Sequence, residues 1–127
     1  MIKKLILFSS GTSGDYKAIG LSHRAIMNNI DSIINYMKPR ADDVFYIAKS
    51  MVHSATITGE ILVSLMIGSK IIALNTLVSP RIILTRMETL KPTIVCLNPT
   101  ILALLLSVKG RRYDLKTIRI FILVELQ

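Results

Sequence analysis

Residues 8–17 read Phe-Ser-Ser-Gly-Thr-Ser-Gly-Asp-Tyr-Lys and follow directly on a short apolar run over residues 4–8. Two glycines and several small side chains would let backbone N–H groups approach an anion closely. Side-chain donors are supplied by the hydroxyl groups of Ser9, Ser10, Thr12 and Ser13. Lys17 adds a positive charge. The stretch predicts a buried strand that opens into a phosphate-binding loop over residues 9–17. An ordinary loop between two strands is the alternative interpretation.

The spacing within this loop excludes two common phosphate-binding motifs. A Walker loop requires Gly-x-x-x-x-Gly-Lys-Ser/Thr, whereas Gly14 is followed by Asp15 and Tyr16. The dinucleotide-binding pattern Gly-x-Gly-x-x-Gly is not present either, because the two glycines of the loop are separated by two residues. Any phosphate site here must therefore belong to another class.

Beyond the loop, apolar runs alternate with stretches of helical periodicity. Strands are predicted at residues 4–8, 18–21, 44–48, 70–74, 93–97 and 118–124, and helices at residues 23–37, 58–67, 80–90 and 99–108. Ser22 is placed to cap the first helix, which begins at His23. The later strands are apolar throughout, as expected where helices cover both faces of a sheet. The alternation predicts an α/β fold with a mostly parallel sheet.

The composition is that of a small folded domain. The chain has 127 residues, of which 51% are hydrophobic and 19% charged, and this balance excludes an intrinsically disordered chain. The lone Cys96 excludes an internal disulfide, predicts a buried side chain and favours a reducing, cytoplasmic compartment. An apolar share this high in so small a chain indicates either association or membership of a larger core.

A net charge of +8 favours anionic partners such as nucleotides. The absence of Trp and an aromatic share of 6% argue against a base-stacking platform, so no specific nucleic-acid partner is predicted.

The longest apolar stretches, residues 61–74 and 94–108, are interrupted by polar residues and predict no transmembrane helix. The apolar run at the start is too short for a signal peptide. Binding to a membrane surface or to nucleic acid is a further hypothesis that rests on the charge alone.

The order of residues around the loop resembles the phosphate-loop signature of the adenylate-forming (AMP-binding) enzymes. Phe8 takes the place of the aromatic residue in that signature, Lys17 that of its lysine, and Ser22-His23 that of its closing pair. Tyr16 and Ala18 depart from it, because Pro and Gly are usual at those positions. Neither departure removes a phosphate ligand, but both bear on how the loop folds over ATP.

Further landmarks extend the resemblance from about Leu5 to Arg119. They are Asp42–Phe45, Met51–His53, Gly68–Ile72, Lys91–Thr100 and Tyr113–Arg119, in the order in which the family has them. Later family segments have no counterpart in residues 120–127. Residues 1–127 are therefore expected to be an incomplete slice of the large domain, with the N-terminal lead-in and the C-terminal subdomain absent. Such a slice would account for the high apolar content, since it exposes surfaces meant to be buried.

The resemblance implies a carboxylate-activating ligase that uses ATP and Mg²⁺, with CoA as acyl acceptor. It implies ATP contacts from Ser9, Ser10, Gly11, Thr12, Ser13, Gly14 and Lys17. It places His53 at the acyl or carboxylate pocket and implies no metal-ligating side chain. The family's catalytic lysine belongs to the C-terminal part that is expected to be absent. An acyl-CoA synthetase for long-chain fatty acids is the first expectation, and a peptide-synthetase adenylation domain is the alternative.

The chain by itself is expected to be inactive, because it holds a candidate phosphate loop but not the rest of the ligase site. A non-catalytic truncated remnant is thus a second hypothesis of a different class. Such a remnant would bind phosphate weakly. It would associate with itself or with a membrane surface through exposed apolar faces.

Overall fold

The computed structural model describes residues 4–10, 14–74 and 78–124. These residues divide after Lys38 into two compact units. The first unit is a hairpin of two antiparallel strands, β1 (Lys4–Ser10) and β2 (Tyr16–Ser22), followed by the helix α1 (His23–Met37). Both strands are longer than predicted, because the pairing continues to Ser10 and Tyr16. The connection between them is therefore shorter than the predicted loop over residues 9–17.

The ends of α1 agree with the signals in the sequence. The Ser22 hydroxyl caps the helix by accepting a hydrogen bond from the Ala25 N–H at 3.1 Å. The helix ends at Met37, followed by Lys38 in the left-handed conformation (φ 47°) and then by Pro39, which cannot continue a helix. The prediction that α1 begins at His23 is confirmed.

The second unit contains a four-stranded parallel sheet. Its strands are β3 (Val44–Ile47), β4 (Lys70–Ala73), β5 (Ile94–Leu97) and β6 (Ile120–Leu123), arranged in the order β4-β3-β5-β6. Each strand pairs with its neighbours in parallel, which confirms the predicted α/β class. Its helices are α2 (Ser54–Thr56), α3 (Leu62–Ile67), α4 (Pro80–Leu90) and α5 (Pro99–Leu106), and a π-helical turn at Ile57–Ile61 joins α2 to α3. The helical segment therefore begins four residues before the predicted Thr58.

The main core of this unit lies between the sheet and the helices α4 and α5. Tyr46, Val95 and Leu97 are completely buried there and pack in one cluster with Met87 and Leu105. The Tyr46 hydroxyl donates a hydrogen bond to the Ile83 carbonyl oxygen at 3.1 Å, so the buried phenol is satisfied. Burial raises the pKa of Tyr46 to about 12. The core is thus built on the carboxyl half of β3 and on β5.

A carboxylate holds the amino ends of three strands together. Oδ1 of Asp43 accepts a hydrogen bond from the Thr93 hydroxyl at 2.7 Å, and Oδ2 accepts from the Arg40 N–H at 2.6 Å and from the Arg119 guanidinium. Thr93 in turn accepts from the Val44 N–H at 2.9 Å. Asp43 precedes β3, Thr93 precedes β5 and Arg119 precedes β6. This network leaves the opposite, carboxyl edge of the sheet for a ligand.

Gly68 ends α3 in a conformation that favours glycine. Its φ is +77°, its N–H donates to the Ser64 carbonyl oxygen at 3.0 Å, and a Cβ built there would meet no atom within 4 Å. We expect Gly68→Ala to lower the free energy of unfolding by about 1–2 kcal/mol through backbone strain alone. Gly68→Asn is the control, since Asn tolerates this conformation better and should cost less. Equal losses in urea denaturation would contradict the explanation by strain.

Among the described residues, no helix combines the length and the apolar character needed to cross a membrane.

Candidate functional site

The hairpin of the first unit carries the predicted phosphate-loop residues. Ser9 and Ser10 are the last residues of β1, and Lys17 lies in β2 directly opposite Ser9. Side chains of opposed residues in an antiparallel pair project from the same face, so the hairpin brings the Ser9 hydroxyl and the Lys17 ammonium to one face. Three predicted donors, Gly11, Thr12 and Ser13, lie outside the described residues. The pairing brings two residues eight positions apart to the same face of the hairpin.

Gly14 is the first described residue after Ser10 and lies two residues before β2 begins. Its φ is +82°, and nothing lies within 4 Å of a Cβ built at this position. The need for glycine here comes from the backbone conformation and not from lack of space. Lys17 is exposed, as are Gly14 and Ser9. An exposed lysine beside a turn of small residues is a suitable arrangement for binding a phosphate group.

His53 lies in the second unit, at the start of α2. Its Nδ1 accepts a hydrogen bond from the Ala55 N–H at 3.3 Å, so the ring caps the short helix. In the neutral ring this bond places the proton on Nε2, which is then a donor. The side chain is half-buried and lines a cavity. The capping role is not visible in the sequence, because histidine is not among the usual capping residues.

The cavity beside His53 has a volume of about 310 Å³ and lies at the carboxyl ends of β3 and β5. Residues that follow the two strands form its polar part, namely Lys49, Ser50 and Asn98. Its apolar walls come from α4, from α5 and from one residue shortly before α4, through Val78, Pro80, Ile83, Ile101, Leu104 and Leu105. Open parallel sheets bind ligands at this edge, and an apolar cleft with a few polar groups is typical of a small-molecule site.

A buried group of three polar side chains lies next to this edge and was not predicted. Nζ of Lys49 lies 2.7 Å from Oε1 of Glu60 and donates a hydrogen bond to Sγ of Cys96 at 3.1 Å. Each of the three side chains is almost completely buried. Cys96 is buried as predicted, but its contact with Lys49 is not that of a simple apolar side chain. The available signal was that Lys49 and Glu60 carry opposite charges and each borders an apolar run.

Burial and pairing act in opposite directions within this group. Burial alone would lower the pKa of Lys49, but the hydrogen bonds to Glu60 and Cys96 raise it above its ordinary value. Burial raises the pKa of Glu60 in spite of the neighbouring ammonium, and it also raises the pKa of the Cys96 thiol. Lys49 therefore keeps its charge in the interior because Glu60 lies beside it.

Comparison with solved structures defines the class of the protein. ATP-bound MatB from Rhodopseudomonas palustris is 26% identical with a TM-score of 0.78, and the match covers 93% of this chain and 23% of MatB. The N-terminal domain of FACL13 from Mycobacterium tuberculosis is 23% identical with a TM-score of 0.82, covering 93% and 29%. An adenylation domain of a keto acid-selecting peptide-synthetase (NRPS) module is 18% identical with a TM-score of 0.83, covering 93% and 22%. The fold is that of part of an adenylate-forming enzyme.

The family itself is shown by the sequence match. The family model for "AMP-binding enzyme" matches residues 4–125, which is nearly the whole chain, so the chain belongs to this family. It spans about a quarter of the length of the solved relatives named above. The resemblance inferred from the phosphate loop and the later landmarks is therefore confirmed.

Proposed function

We propose that this chain provides the ATP phosphate site of a carboxylate-activating ligase. The observation that carries the proposal is the hairpin register, which places Lys17 opposite Ser9 beside a turn that contains Gly14. The proposed phosphate ligands are Ser9, Ser10, Gly11, Thr12, Ser13, Gly14 and Lys17. The ATP-bound relative MatB supports the choice of nucleotide.

In the proposed reaction a carboxylate oxygen attacks the α-phosphorus of ATP, which gives an acyl-adenylate and pyrophosphate. Hydroxyl and backbone N–H donors of the loop hold the phosphate oxygens in place, and the Lys17 ammonium stabilises the charge that develops on the leaving pyrophosphate. Among the described residues no group of three His, Cys, Asp or Glu side chains could hold a metal ion. Mg²⁺ would arrive bound to the ATP phosphates and would neutralise part of their charge.

The cavity beside His53 is the proposed site for the acyl group. Its walls are mainly aliphatic, which supports an apolar carboxylic acid such as a fatty acid as the substrate. CoA would be the acceptor of the activated acyl group. His53, with its proton on Nε2, would donate a hydrogen bond to the carboxylate. We expect no turnover from residues 1–127 alone, since the chain spans about a quarter of its solved relatives.

Two further features support a cytoplasmic protein with apolar contact surfaces. Cys96 is a free thiol, as is usual in a reducing compartment. Large apolar side chains are exposed on α3 and α5, with Leu65 at 65% and Leu106 at 76%. Such exposure supports contact of these helices with other protein surface, or with a membrane surface, in place of water.

The test is titration calorimetry with ATP and Mg²⁺ on the chain and on Lys17→Ala. We expect saturable binding that weakens at least tenfold in the variant, because a bound phosphate loses its ammonium partner. Lys116→Ala is the matched control, since it removes the same charge from an exposed turn of the second unit, and its affinity should not change. Circular dichroism establishes that each protein is folded. A folded chain that binds no ATP, or equal affinities in all three proteins, would contradict the proposal.

A further inference from the structure

The buried group of Lys49, Glu60 and Cys96 has no part in the proposed ATP site, and of the three only Lys49 lines the proposed acyl cavity. An ion pair in the interior loses the hydration of both charges, and apolar packing of the same volume would often be at least as stable. Glu60 is also held in the π-helical turn at Ile57–Ile61, and such turns are frequent at functional sites. Fold stability alone is therefore a weak explanation for these three side chains, and their chemistry offers another.

The contact between Lys49 and Cys96 joins a nucleophilic nitrogen to an oxidisable sulfur. Nζ and Sγ are 3.1 Å apart, and the carboxylate of Glu60 lies 2.7 Å from the same nitrogen. A cysteine sulfenic acid condenses with a backbone nitrogen to give a sulfenamide. A lysine nitrogen in contact with the sulfur can attack in the same way once it has lost a proton. Because the lysine side chain is long and flexible, it can cover the remaining distance without movement of β5.

We propose that Cys96 and Lys49 form a reversible sulfenamide crosslink when the protein meets a peroxide, with Glu60 as the base. Hydrogen peroxide oxidises the thiol by two electrons, so its O–O bond breaks, S–H becomes S–OH and one water is released. Glu60 then takes one proton from the Lys49 ammonium. The free nitrogen attacks Sγ, the S–N bond forms and the S–O bond breaks. The departing hydroxide takes a second proton from the nitrogen and leaves as water.

The surroundings of the three side chains suit this sequence of steps. Oε1 of Glu60 lies 2.7 Å from Nζ of Lys49, so it is placed to take the proton that Lys49 otherwise holds. Lys49, which contacts Cys96, and Asn98, two residues after it, both line the cavity of about 310 Å³. The raised pKa of the thiol makes its oxidation slow compared with an exposed cysteine, so incubation must be long.

The experiment exposes the folded chain to hydrogen peroxide and maps its peptides by mass spectrometry after digestion with chymotrypsin. We expect the peptides that carry residues 49 and 96 to be recovered joined, about 2 Da lighter than their sum, and to separate after treatment with dithiothreitol. The same treatment in concentrated urea should give no joined peptide, because the contact exists only in the folded chain. Since no nucleotide is present, the result is independent of the ATP proposal.

Two variants test the roles of the partners. Lys49→Met should give no crosslink and leave Cys96 as sulfinic acid, whereas Lys70→Met, which removes an exposed lysine, should crosslink like the parent chain. Glu60→Gln should slow formation of the crosslink at least fivefold. The proposal is overturned if Cys96 in the folded parent chain ends as sulfinic or sulfonic acid beside an unmodified Lys49. It is equally overturned if Cys96 stays reduced. The parent chain alone decides both points, even where a variant fails to fold.

Discussion

Replacement of Glu60 by methionine should lower the free energy of unfolding by about 3–5 kcal/mol. The variant leaves the Lys49 ammonium buried without its counter-charge, and the hydrogen bond to the Cys96 sulfur is too weak to replace a carboxylate. Domains of this size are stable by only about 5–15 kcal/mol, so the variant should be close to unfolding at 37 °C. Urea denaturation followed by circular dichroism measures the loss.

The double variant Lys49→Met/Glu60→Met distinguishes a lost charge pair from lost packing. It removes both charges while keeping side chains of similar length, so we expect stability within about 1 kcal/mol of the parent chain. If the double variant is more stable than Glu60→Met, the cost in the single variant comes from an unpaired charge. A double variant as unstable as the sum of the two single ones would mean that Lys49 and Glu60 do not interact in the folded chain.

Replacement of Asp43 by alanine should cost about 3 kcal/mol or more. Its buried carboxylate accepts hydrogen bonds from Thr93, Arg40 and Arg119, and the variant leaves these donors without their acceptor. Asp42→Ala is the matched control, because Asp42 is exposed and its ion-pair partner within the described part of the chain is the exposed Arg40. Its loss should stay below about 0.5 kcal/mol. Similar losses in the two variants would contradict the role given to Asp43.

The same carboxylate predicts how stability depends on pH. Burial alone would raise the pKa of Asp43, but hydrogen bonds from Thr93 and Arg40 and the Arg119 guanidinium lower it below its ordinary value. A carboxyl whose pKa is lowered by folding stabilises the folded state fully above its unfolded pKa, about 3.9. This contribution is lost as the pH falls through the lower, folded value. Asp43→Asn should therefore flatten the decline of stability in acid, and an unchanged decline would exclude Asp43 as its source.

Local signals in the sequence predicted much of the fold. Apolar runs bounded by turn residues predicted the four parallel strands. The expected cover on both faces holds for the central strands β3 and β5, whereas the edge strands β4 and β6 keep exposed residues. The helix α1 begins at His23 because Ser22 caps it, and a cap needs only residues three apart. The strand predicted over residues 4–8 was expected to be buried, but Ile6 and Phe8 of β1 are exposed. Strands over residues 4–8 and 18–21 were predicted, with Lys17 in the loop between them. Their pairing register was not, and it shortened the loop.

The family assignment likewise depended on sequence alone, because the loop and the later landmarks keep their order along the chain. By contrast, two groups of polar side chains join residues that lie far apart in the chain. They are the group of Lys49, Glu60 and Cys96 and the network around Asp43, which joins residues 76 positions apart. Which buried charges meet depends on the order of strands in the sheet and on the helical turns that cover it. Local periodicity in the sequence predicts neither of these. The sequence by itself determined strands, helices and family, since these depend on neighbours in the chain. Only the tertiary structure decided which polar side chains are paired in the interior.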